Sequence, residues 1–184
     1  MATQENIAVS LLRAQFKSAH EALEGTMQGV TPEQAHWTPP GIANPLGATY
    51  VHVLTSEDAV FNGMLKGSAP LMVAAWAGKV GVNEMPPMPG PDEEGMPPWD
   101  AWARRVQVDL AALQSYAQAV YSATDEYLAA LSDQDLSRSL DLSSWGMGQQ
   151  TLGWLLTIML ANVYMHTGEI ACLKGLQGAK GYPF

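Results

Sequence analysis

Five side chains in this sequence combine suitable chemistry with spacing that would gather them in a protein interior. At about 100° per residue, a C-terminal segment carries Leu155, Met159, Asn162, Val163, His166, Ile170 and Leu173 on one arc, with Glu169 at its edge. His166 therefore points inward. An earlier segment defines its own inward arc with Leu46, Thr49, Val53, Glu57, Val60 and Met64; His52 sits on the flank, and Asp58 and Asn62 fall opposite. Imidazole and carboxylate groups presented from facing helices are how helical bundles bind transition metals and line small polar pockets. The plainer account is a buried histidine hydrogen-bonded to Glu57 or Asn162, since a buried carboxylate often partners a core imidazole. Spacing alone leaves both accounts open.

Four long helices must position these groups. The first is expected over roughly 4 to 27, with Ala8, Leu12, Ala19 and Leu23 along one face. Asn44-Pro45 reads as the start of the second, with Asn44 as the cap, and that helix runs to about Lys66. Between Gly67 and Pro98 lie seven of the twelve prolines and four of the ten methionines, which predicts a long crossover with one short helix around Leu71 to Ala77. The third helix is expected as one unbroken stripe, Trp99, Trp102, Val106, Leu110, Leu113, Ala117, Val120, Thr124, Leu128 and Leu131. The last runs from about Gln149 to Leu176, with Lys174 suited to its C-terminal dipole and Gly175 and Gly178 as its stop. This predicts an all-α four-helix bundle, one domain over 1–184.

Composition narrows the partners. Nine Lys and Arg against eighteen Asp and Glu give a formal charge of -9, and no three basic residues cluster, so a nucleic-acid face is not expected. The longest charge-free apolar stretch, Leu152 to Met165, is shorter than the roughly 20 residues a bilayer span needs, so no membrane partner is expected either. MATQENIAVSLLRAQF lacks a positive region ahead of its apolar residues, which argues against a secretory signal. A single cysteine, Cys172, cannot form an internal disulfide, and a reducing cytoplasm is the expected setting. Cys172 lies about 120° around the helix from His166 and is expected to act as a small buried hydrophobe.

The run PEQAHWTPPGIANPLGATYVHV, followed by Glu57, and the run TLGWLLTIMLANVYMHTGEIACLKGLQG resemble the DinB-like superfamily of metal-binding four-helix bundles. The resemblance spans most of the chain in order: first helix, Trp-Pro-Gly loop, Asn-led second helix bearing a histidine, long crossover, and a final helix ending in His-x-Gly-Glu-Ile. It implies an up-down-down-up topology, a homodimer, and a divalent metal held by one histidine of the second helix and two of the last, spaced His-x3-His. His52 matches the first ligand and His166 the third. The second falls on Asn162, a departure, because an amide oxygen is a weak ligand for nickel, zinc or iron. Glu57 or Glu169 could complete a two-histidine, one-carboxylate set. Some members are similar to transferases that use the low-molecular-weight thiols bacillithiol or mycothiol, or to the mycothiol-dependent maleylpyruvate isomerase, where the metal lowers the pKa of the cofactor's sulfur.

Two functions follow. One is a small-molecule pocket lined by His52, Glu57, Asn162, His166 and Glu169 that supports metal-assisted, thiol-dependent transfer or isomerisation. The other is a non-catalytic bundle that has lost the metal at position 162 and acts as a binding or structural dimer. No catalytic residue is assigned. His20 is expected to be solvated, His36 to sit in a loop where Trp37 packs, Asp109 and Tyr116 to partner a neighbouring helix or line the pocket, and Trp145 to cover one end of the bundle.

Overall fold

In the computed structural model, residues 6–87 and 99–184 are described. Residues 4 and 5 of the expected first helix, and the 88–98 part of the crossover, lie outside them. Helix α1 spans Ile7–Met27 and buries Val9, Phe16, Ala19, His20, Leu23, Thr26 and Met27, an amphipathic face in steps of three, four and seven. The short α2, Pro32–His36, starts on a capping box in which Thr31 and Gln34 satisfy each other's amides. Helix α3 spans Leu46–Asp58 and continues as a π-helical turn over Ala59–Leu65. After the crossover come α4, Trp99–Ala103, and α5, Leu110–Ala129. A small antiparallel hairpin pairs β1, Ser139–Asp141, with β2, Gln149–Thr151, and α6 runs Leu152–Leu176.

The described chain is predominantly helical, as the sequence predicts. Helices α1 and α3 each pack against both α5 and α6. One buried cluster gathers Leu23, Tyr50, Trp102, Tyr116, Val163 and Ile170; a second gathers Phe16, Phe61, Leu128, Leu142, Leu152 and Leu156. Helix α3 is enclosed on all sides, and only His52 and Ser56 among its thirteen residues are not fully buried.

Several local expectations are corrected. Asn44 does not cap α3: Pro45 is extended (φ -56°, ψ 142°), the helix starts at Leu46, and the Asn44 Oδ1 is buried without a partner. The third helical stripe is broken, because α4 ends at Ala103, Val108 bridges Val82, and Asp109 opens α5 by accepting from the amides of Ala111 and Ala112. Gln149–Thr151 is a strand, so α6 begins three residues later than expected, with Thr151 accepting from the Trp154 amide. Among the described residues of the crossover, helix is limited to a 3-10 turn over Leu71–Val73. Asp58 and Asn62 are buried, since the crossover covers the face of α3 that the periodicity leaves to solvent. Lys174 also reaches inward, donating to the carbonyls of Thr26 and Gln28 at the end of α1.

The crossover is fastened to α5 through Gly81, whose φ of +97° favours glycine. Its carbonyl accepts from the Asp109 amide at 2.8 Å, and a Cβ there would lie 2.8 Å from the Asp109 oxygen and the Leu113 nitrogen. No helix among the described residues is long and apolar enough to cross a membrane.

Candidate functional site

Periodicity on α3 and α6 brings two imidazoles together. The rings of His52 and His166 lie 4.8 Å apart between centroids and meet edge to face at 79°. Trp99 of α4 closes the other side of His52 at 5.2 Å, also edge on. His166 Nδ1 and Glu169 Oε2, one helical turn apart, are hydrogen-bonded at 2.8 Å. With the proton on Nδ1, the Nε2 of His166 keeps its lone pair, the tautomer a metal-binding histidine needs. His52 Nδ1 lies 3.4 Å from Ser56 Oγ, a loose contact. The Asn162 amide nitrogen is buried and makes no hydrogen bond, while the same side chain lies against His52.

Burial holds the pKa of His52 below the ordinary imidazole value of 6.5, and neighbouring His166 lowers it further; Asn162 and Glu169 oppose the shift. The sign for stability follows. As pH falls through 6.5 the unfolded chain takes up a proton at this position before the folded chain does, which favours unfolding. The metal-free protein should therefore lose stability as pH drops from about 6.5 toward the folded-state value of His52. His52→Gln should flatten that part of the profile. Urea unfolding of both proteins at several pH values below 7 checks this; equal slopes would mean that burial of the ring costs nothing.

Glu57 is not part of this site, a correction to the sequence reading. It is fully buried and accepts from Thr124 Oγ1 at 2.6 Å, while its other oxygen meets His20 Nε2 at 3.0 Å. Glu57 comes five residues after His52, so it is turned about 140° around the helix and faces α1 and α5. His20 is accordingly buried at 8% exposure, where solvation was expected. Its ring stacks on Tyr121 at 3.8 Å, and the hydroxyls of Tyr121 and Tyr50 both donate to Glu24 Oε1. Burial first, and then the nearby Glu24 charge, push the Tyr50 hydroxyl pKa far up, so it stays a donor. The angle between positions 52 and 57 was the available sequence signal for this second cluster.

The sequence profile of the DinB superfamily matches residues 15–170. The chain belongs to the DinB superfamily. A solved structure, the crystal structure of the conserved protein of locus from Enterococcus faecalis, is similar over 90% of this chain and 94% of that chain, with a TM-score of 0.73 at 22% sequence identity. At that identity the likeness shows the fold alone. No curated protein sequence matches the chain.

The remaining residues of this DinB-superfamily chain take structural roles. His36 ends α2, its Nδ1 against the Pro32 carbonyl at 2.7 Å and its Nε2 accepting from the Val108 amide at 2.9 Å, a pin between two loops. Tyr116 donates to Asp58, and Asp109 caps α5. Cys172 is exposed, where burial was expected, because it lies on the outer side of α6. Trp145 ends a 3-10 turn in the hairpin and is 46% exposed.

Proposed function

We propose that this protein is an up-down-down-up four-helix bundle that binds a small molecule between α3 and α6, with His52 and His166 holding a divalent metal and Asn162 presenting its amide oxygen at the third position. The ring of contacts among α1, α3, α5 and α6 supports the bundle. The observation that carries the site is the approach of two imidazoles to 4.8 Å from facing helices. The residues fit a weak site for nickel, zinc or iron: His166 is oriented by a carboxylate, His52 is held neutral by burial, and Asn162 lies against His52 with its amide nitrogen unbonded. When bound, such a metal lowers the pKa of a thiol placed on it. The chain's own part is to aim the rings, shield one side with Trp99, and leave the partly exposed His166–Glu169 edge for the ligand. Thiol-dependent transfer is the activity this arrangement suits, and a cytoplasmic homodimer is the setting we assign.

A second reading, a bundle that no longer binds metal, is favoured by position 162 and by the donor inventory. Among the described residues no group of three or more His, Cys, Asp and Glu is placed to hold an ion. Calorimetric titration of chelator-treated protein with nickel and zinc separates the two. We expect one saturable equivalent, with changes in the ring resonances of His52 and His166, and loss of binding in His166→Ala. Absence of saturation with unmoved ring resonances would leave the non-catalytic bundle as the function.

A further inference from the structure

Helices α1 and α5 enclose a second cleft of about 570 Å³, separate from the His52–His166 pair and well within the size that takes a small ligand. Its floor is His20, more than nine-tenths buried, with Glu57 and Thr124 behind it. In the tautomer that gives its Nε2 proton to Glu57, His20 keeps Nδ1 as an acceptor, and that atom makes no hydrogen bond among the described residues. One turn along α1, Glu24 lines the same cleft. Its Oε1 accepts from two tyrosines, and its Oε2 makes no hydrogen bond among the described residues. His20 and Glu24 thus line one cleft, each with an atom that no described residue bonds, and Gln118 and Ser122 share the wall.

The charges around the cleft select the ligand's sign. Both basic side chains on the wall are already committed: Arg13 forks onto Asp125 at 2.8 and 2.9 Å, and Lys17 bridges to Glu21. Among the described residues, Glu24 and Glu57 have no basic partner other than His20. Phe16 adds aromatic surface to the same wall, beside the stacked pair of His20 and Tyr121.

We propose that this α1–α5 cleft is a second binding site, one for a small protonated amine whose ammonium group donates to His20 Nδ1 and Glu24 Oε2 while its apolar body lies against Phe16 and Leu128. The probe is benzylamine, followed by two-dimensional NMR of the full chain, with benzyl alcohol and benzoate as the neutral and anionic comparisons. Saturable shifts are expected at Phe16, His20, Tyr121 and Thr124, with benzyl alcohol binding at least about tenfold more weakly and benzoate not at all. Glu24→Gln keeps an acceptor for the two tyrosines yet removes the charge, and should weaken benzylamine by about tenfold or more. The proposal is overturned by unsaturable binding, by shifts that map to other residues, by alcohol binding as tightly as amine, or by undiminished affinity in Glu24→Gln. If that variant does not fold, the shift map and the amine-to-alcohol ratio of the unmodified protein decide alone.

Discussion

Replacing Asp58 by alanine should cost about 4 kcal/mol of stability and lower the melting temperature by roughly 10 °C. Asp58 is fully buried at the end of α3 and accepts four hydrogen bonds: from the Tyr116 hydroxyl at 2.7 Å, and from Asn62 Nδ2 and the Leu71 and Met72 amides at 2.8 Å each. Bonds to a charged acceptor are each worth about 1.5–3 kcal/mol, and alanine would leave four donors without a partner where water has little access. Burial, followed by Asp58 itself, pushes the Tyr116 pKa up, so its hydroxyl remains a donor needing an acceptor. Asp58→Asn should fall between, because each carboxylate oxygen accepts two of the four bonds, so the amide nitrogen would face two donors while the remaining oxygen keeps the other two. Urea unfolding with an unchanged m-value would measure the difference; a loss below about 1 kcal/mol for the alanine variant would mean that the donors find water.

The largest gain should come at position 162. Asn162→His places a third imidazole one turn before His166, and affinity for nickel or zinc should rise by about 100-fold, since even an outer partner of a metal ligand is worth ten- to a hundredfold. Asn162 is only partly buried, so the larger ring has somewhere to go. Parallel calorimetry of the variant and the unmodified protein gives the ratio directly. An unchanged ratio would show that position 162 does not aim at the point shared by the other two rings, and the proposed donor set would have to be abandoned.

How far the sequence carries this picture depends on what covers each helix. Helix α6 is long and its inner arc is set by Leu155, Met159, Val163 and Ile170, all buried, so the inward turn of His166 is legible from spacing. On α3 the same rule puts His52 only on the flank and Glu57 within the arc, whereas the structure turns His52 to His166 and Glu57 to His20. It fails at Asp58 because a helical wheel assumes one wet face, whereas the crossover segment covers that face of α3. It fails at His20 because the carboxylate that draws the ring inward comes from a different helix, a pairing with no local signal. The break between α4 and α5 escapes for another reason: Trp102 and Leu113 are buried on either side of it and Val106 within it, so the stripe continues although the backbone leaves the helix. Periodicity reports which residues meet the core; it does not report whether the chain between them is helical.

The enclosure of α3 bears on how the molecule comes apart. Its side chains are covered from α5, from α6 and from the crossover, and Asp58 ties α3 to α5 and to the crossover at one carboxylate. No layer can peel away without exposing the central segment, so partial opening gains little chain entropy and forfeits much of the packing. The domain should melt in a single step, with the central rod the last to exchange its amide protons with bulk solvent.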